Sequence, residues 1–177
     1  MTVDDVTDRR VKRTRMAIFE AFRELVLTRK YDDIRLADII DMSGIGRSTF
    51  YEHFRNKDDV LVTSIEPLFS ALAKIPPGAA EREHVQFVIE HFWEQRRFAR
   101  IVFRDVLYEK LSRKLADMIE LEIAVGDPAE KRFQSVAAAS AMLGVIRAWL
   151  AGEFSMTAED LSRRLMQTAR QEVGGDD

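Results

Sequence analysis

Between Gly44 and Val60 the chain reads GIGRSTFYEHFRNKDDV. Seven side chains in that stretch can donate or accept hydrogen bonds within nine positions: Arg47, Ser48, Thr49, Tyr51, Glu52, His53 and Arg55. Among those nine positions only Phe50 and Phe54 are plainly apolar, and they stand four apart, one helical turn. A short helix anchored by those two rings turns the remaining groups outward. Their chemistry suits nucleic acid. Arginine pairs bidentately with guanine, Ser and Thr donate to several base edges, and Tyr and His reach phosphates or bases. Glu52 can accept from cytosine N4, or pair with Arg47 or Arg55. Lys57, at the start of the next helix, adds a charge and main-chain donors for a phosphate.

Other chemistries fit less well. GIGRST has the look of a glycine-rich phosphate loop, but the third glycine of a dinucleotide fingerprint is missing and a helical pattern precedes it. Cysteine is absent, so neither a disulfide framework nor a thiolate metal site can form. His53, His84 and His91 are the only histidines; the last two share a helix face at a spacing of seven, with no third ligand in view. No nucleophile-elbow motif occurs. These residues predict no catalytic site, no metal, no cofactor and no enzymatic activity.

The elements that must position the outward groups are helical nearly throughout. Ala17, Ile18, Ala21, Phe22, Leu25 and Val26 make one stripe of an amphipathic helix over residues 8–29, which KYDD then breaks. A short helix over 36–42 follows, with Leu36, Ile39 and Ile40 on one side. Ser43 and Gly44 end it, glycine being the usual residue where a chain turns through positive φ. The helix of interest spans 47–54. Asn56 caps the next, and Asp58 and Asp59 suit its positive end. That fourth helix reaches residue 74, with Pro67 placed to kink or split it. KIPPGA, residues 74–79, reads as a linker. Helices over 80–97, 98–104, 105–124, 129–152 and 158–172 complete an all-α chain of about nine helices. Thr157 opens a box-like TAED, with Met156 and Leu161 spaced for a hydrophobic staple.

Two short helices joined by a glycine turn, after a longer one, are the parts of a helix-turn-helix. YDDIRLADIIDMSGIGRSTFYEHFRNKDDVL resembles the DNA-binding signature of the TetR family of transcriptional regulators over residues 12–62. Asp38-Ile39, Gly44, Thr49-Phe50-Tyr51, Phe54 and Lys57 carry the match. The resemblance implies a homodimer with an N-terminal DNA-binding domain (1–56) and a C-terminal regulatory and dimerisation domain (57–177). It implies DNA contacts by Thr49, Tyr51, His53 and Lys57, to which the residue reading adds Arg35, Arg47 and Ser48. Two positions depart from the family. Arg35 stands where a capping Thr is frequent; it can reach phosphate but cannot cap. Gly46 stands where many members have Ser. AASAMLGVIRAWLAGEF with TAEDLSRRL is similar to a recurring C-terminal domain of the family.

In that half, residues 133–151 are apolar almost all round. Val136, Leu143, Ile146 and Leu150 suit a core. Ala137, Ser140, Gly144, Ala148 and Ala151 form a small-residue face. We read that face as a dimer seam, built with Leu161, Leu165 and Ala169 into a four-helix bundle across a two-fold axis. The aromatics between the domains are mostly core. In the family this region often encloses an effector pocket, for which Phe69, Phe87, His91, Phe92, Phe103 and Tyr108 are the candidates. Such an effector would be small and largely apolar, hydrogen-bonded by His91 and Tyr108.

The net charge of −3 does not announce a nucleic-acid binder, so any basic surface must be local. RRVKRTR, residues 9–15, supplies one with five positive charges and no negative one. MTVDDVTDRR has no apolar segment of a secretory signal, and no unbroken apolar run reaches the roughly 18 residues of a membrane span. These features lead to a cytoplasmic, dimeric repressor that binds an inverted-repeat operator in double-stranded DNA and does not enter a membrane. The alternative is a dimeric interaction protein that keeps the helix-turn-helix without operator binding.

Overall fold

The computed structural model describes residues 3–173, with side chains at 3–8, 105, 106 and 169–173 outside the description. Ala169, assigned above to the seam, is one of those side chains. The described residues form nine α-helices and no strand: α1 (Val3–Thr28), α2 (Leu36–Ser43), α3 (Arg47–His53), α4 (Lys57–Ala73), α5 (Arg82–Glu94), α6 (Arg96–Val102), α7 (Asp105–Glu122), α8 (Pro128–Ala151) and α9 (Ala158–Val173). A 3-10 turn, Tyr31–Asp33, stands where KYDD interrupts the helical pattern. The chain divides into two compact units, Met1–Ile65 and Glu66–Asp177.

The N-terminal unit is built on the expected stripes. Ile18, Phe22, Leu25 and Val26 of α1 are buried with Ile34, Ile39, Phe50, Phe54, Val60 and Leu61. Phe54 lies 5.6 Å from the ring of Phe19 and 5.8 Å from that of Phe50. Complete burial of a phenylalanine contributes about 1.5–3 kcal/mol, so these two rings fix α3 on the core. Gly44 ends α2 at φ 65°, the left-handed region that a side chain resists. Asn56 caps α4 as expected, its Oδ1 accepting from the amide of Asp59 at 2.9 Å.

α4 runs unbroken through Pro67, where the sequence predicts a kink or a split. The ring sits on the exposed face and Thr63 is only half-buried, so water can take the carbonyl that loses its donor.

The second unit packs α7 on α8 and α9 on α5. Phe69, Leu72, Val85, Ile89, Phe92, Phe103, Leu111, Leu115, Ile119, Leu143 and Ile146 form its core. α8 is long and apolar enough, by composition, to cross a membrane. Here Ser135, Ala139, Met142, Leu143, Ile146, Trp149 and Leu150 of α8 face the interior of the unit instead. Asp127 caps it, accepting from the amides of Ala129 and Glu130. The phase of that buried stripe corrects one expectation. Val136, assigned to the core, is 43% exposed because it lies one residue, about 100° of helix, beyond Ser135. At the start of α9, Thr157 accepts from the amide of Asp160 at 3.1 Å. The short Asp160 side chain takes the hydroxyl of Thr157 in return, at 2.9 Å.

Candidate nucleic-acid interface

Gly46 takes the N-cap position of α3 and, having no side chain, leaves the helix without a side-chain cap. Arg47, Ser48, Tyr51, Glu52 and Arg55 are exposed, and Thr49 and His53 are half-buried beside them. Tyr51 is 54% exposed, although its ring edge meets Phe50 at 5.9 Å between centroids. Glu52 forms no ion pair with Arg47 or Arg55 among the described residues, so the acid and both guanidiniums remain available to a ligand. A helix face whose donors and acceptors are engaged with water alone can exchange those hydrogen bonds for base edges and phosphates.

The basic run lies on α1. Arg9, Arg10, Lys12 and Arg13 are exposed. Arg15 is half-buried, its guanidinium carbon 5.5 Å from the Phe54 ring centroid. That contact places one cation of the run beside the end of α3. The Nε atom of Arg15 is buried with no hydrogen-bond partner among the described residues.

Arg35 takes the N-cap position of α2 and, as expected, supplies no side-chain cap. Its amide donates to the Asp38 carboxylate at 2.8 Å. That bond, ahead of the Arg29 guanidinium at 3.2 Å, holds the Asp38 carboxyl below the usual carboxylate range. The guanidinium of Arg35 stays exposed.

Lys57 is placed differently from the other predicted contacts. Its Nζ turns inward and donates to the main-chain carbonyls of Tyr31 at 2.6 Å and Ile34 at 3.0 Å. It also sits 4.4 Å from the Tyr31 ring centroid. The phenol of Tyr31 donates to Asp58. Burial first, then that hydrogen bond, raises the phenol far above the ordinary tyrosine range. Sequence reasoning treated KYDD only as a helix breaker and missed this cluster. The signal was present, since Tyr31 is the one aromatic in the break and Lys57 and Asp58 open the helix that meets it. The cluster fixes the turn that precedes α2, and so the frame from which α3 is presented.

The predicted effector residues are not gathered into one cavity. Phe69, Phe92 and Phe103 are buried, with the last two rings 5.2 Å apart in edge contact. Phe87 is 61% exposed and stacks on His91. Tyr108 lies under the Arg147 guanidinium at 4.7 Å. Of the predicted seam, Ala137 and Ser140 are exposed and Gly144 and Ala148 half-exposed, but Leu161 and Leu165 are buried, turned toward the subunit interior. They floor a groove of about 350 Å³ walled by Ala138, Ala141 and Val145 of α8.

The family model for bacterial regulatory proteins of the tetR family matches residues 18–63. The chain carries a TetR-family helix-turn-helix. Over 60 residues, 33% of the chain, it is 43% identical to an HTH-type transcriptional regulator of Bacillus subtilis strain 168, YxbF, itself uncharacterised. The match spans only 16% of that relative's length. Whole-chain similarity is structural. A TetR transcriptional regulator from Streptococcus agalactiae 2603V superposes with a TM-score of 0.56 at 26% identity, covering 94% of this chain and 98% of that one. The dihydroxyacetone kinase operon activator DhaS gives the same score at 20% identity, covering 90% and 96%. The nine described helices thus have the TetR fold, a helix-turn-helix domain followed by a helical second domain.

Proposed function

We propose that this TetR-family chain is a homodimeric, sequence-specific regulator of transcription in the cytoplasm that binds an inverted-repeat operator, represses by occupying it, and is relieved by a small-molecule effector. The observation that carries the reading is the outer face of α3. Arg47, Ser48, Thr49, Tyr51 and His53 are held over a rigid Phe50–Phe54 anchor with no internal partner to satisfy them. Arg35 and the run 9–15 supply phosphate contacts around it. DhaS is by its name an activator, so the fold does not set the sign. Repression needs nothing beyond occupancy of promoter DNA, and no catalytic group is required for either sign.

A second copy of this chain is the partner that fits the α8–α9 face. The groove walled by Ala138, Ala141 and Val145 is apolar and open, and small side chains there allow two helices to approach closely. A two-fold dimer then places two α3 helices on two half-sites.

The test is selection of genomic DNA by the purified chain, followed by gel-shift titration against random duplex. A complex of two chains on an inverted repeat, weakening about 10³–10⁵-fold between roughly 50 and 200 mM salt, is the expected result. Equal affinity for selected and random DNA would instead assign the chain to dimeric interaction without operator recognition.

A further inference from the structure

We infer that the second unit holds a binding site for a multiply charged oxyanion, a phosphate-bearing small molecule in the first instance, between α6 and the end of α8. A cavity of about 310 Å³ is lined by Arg100, Arg104 and Arg147 together with Phe103, Leu150 and Glu153. Three exposed arginines and one exposed glutamate therefore line a space sized for a small ligand.

Some arginines of the same unit are already engaged. Arg82, Arg132 and Arg163 are each paired with a carboxylate. Among the described residues, Arg100, Arg104 and Arg147 pair with none, and neither does Glu153. Arg100 directs its Nε to the carbonyl of Leu150. That bond quiets one of the carbonyls at the negative end of α8 and leaves the two terminal nitrogens of the fork to donate elsewhere. Arg147 rests on the face of Tyr108, which aligns its plane without using a hydrogen-bond donor. Among the described residues, no hydrogen bond or ion pair holds the Arg104 side chain away from the cavity. The floor, Phe103 and Leu150, is at most 1% exposed and offers no competing polar group.

Charge decides the class of ligand. Guanidiniums that line one space repel one another, and because all three arginines are exposed, water screens that repulsion only in part. A single carboxylate, with Glu153 already present, leaves net positive charge. A phosphate dianion or a diphosphate neutralises it, and its tetrahedral oxygens accept bidentate bonds from arginine forks. Polycarboxylates share this chemistry. The site supplies a charge to the effector reading above and depends on that reading only for its regulatory consequence.

Calorimetric titration of the full chain with sodium pyrophosphate, at fixed ionic strength and without DNA, tests it. Inorganic phosphate and citrate are run in parallel. Saturable binding is expected, weakened about ten- to a hundred-fold by Arg104→Gln or Arg147→Gln, since each removes a charge-assisted contact. Arg97→Gln, an exposed change on α6 outside the cavity, is expected to alter it less than about twofold. Citrate binding more tightly than pyrophosphate, with the same dependence on Arg104 and Arg147, would support the oxyanion site and make a carboxylate its occupant. No saturable binding of any of the three overturns the inference, as does equal loss in Arg97→Gln. A loss of operator affinity in Arg104→Gln and Arg147→Gln without added anion would also overturn it, by assigning these arginines to DNA. Circular dichroism melts of each variant matching the wild type confirm that folding is not the cause of any loss.

Discussion

The ammonium of Lys57, at the first turn of α4, donates to the main-chain carbonyl of Tyr31 across the turn that precedes α2, at 2.6 Å. The lysine that the resemblance assigns to a phosphate is here placed as a brace. Two of its three donors are engaged by carbonyls. Lys57→Ala is expected to destabilise the chain by about 1–3 kcal/mol in urea unfolding, the scale for hydrogen bonds from a charged donor. It should weaken operator binding for all sequences alike. The salt slope separates brace from contact. Removing a phosphate contact lowers it by about one unit, which is expected for Arg47→Ala and not for Lys57→Ala.

Tyr31 gives a pH dependence. Burial and the bond to Asp58 raise its folded-state ionisation well above the unfolded value of about 10. The neutral phenol is thus favoured by folding. Its contribution is fully present below about pH 10 and is lost as the pH rises, because the unfolded chain releases a proton that the folded chain keeps. Between about pH 10 and 11.5, wild-type stability should fall more steeply than that of Tyr31→Phe. The difference stays under about 1.4 kcal/mol per pH unit, since the ring is half-buried and partly screened. Parallel curves in denaturant titrations would exclude the tyrosine as the source.

The two glycines of the turn should respond in opposite directions. At Gly44, φ is 65°, so Gly44→Ala is expected to cost about 1–2 kcal/mol although nothing crowds the new Cβ. At Gly46 the backbone is extended and the surroundings are open, so Gly46→Ser can cap α3. A gain of a few tenths of a kcal/mol is expected there. Thermal unfolding of the two variants checks both signs.

Local chemistry made the N-terminal unit legible in the sequence. Phe50 and Phe54 at a spacing of four, Gly44 after Ser43, and Asn56 before Lys57 each specify their own geometry through period, turn or cap. The inward turn of Lys57 was hidden because its partners are main-chain carbonyls, which carry no residue signature. The C-terminal unit was harder to read because 133–151 is apolar on nearly every face, so the pattern does not fix its rotation. Val136 therefore looked like core, although it is exposed. The arginines of the cavity were passed over for a similar reason. Arg100 and Arg104 share a face only once Arg147, more than forty residues later, is folded against them.

That phase decides between two seams. The sequence favours the strip Ala137, Ser140, Gly144; the structure opens the neighbouring strip Ala138, Ala141, Val145 over the α8–α9 groove. Gly144 is no tight contact inside the subunit, because a Cβ there meets only the Tyr108 hydroxyl, at 3.9 Å. Gly144→Leu should therefore fold, and any effect on assembly would be intermolecular. Ala141→Arg places a charge in the groove and is expected to yield monomers by sedimentation, with operator affinity reduced by at least about a hundredfold as the half-sites come unlinked. Ser140→Arg, one residue away on the other strip, is expected to leave the dimer intact. The reverse outcome, monomers from Ser140→Arg and Gly144→Leu with Ala141→Arg still dimeric, would return the seam to the small-residue face.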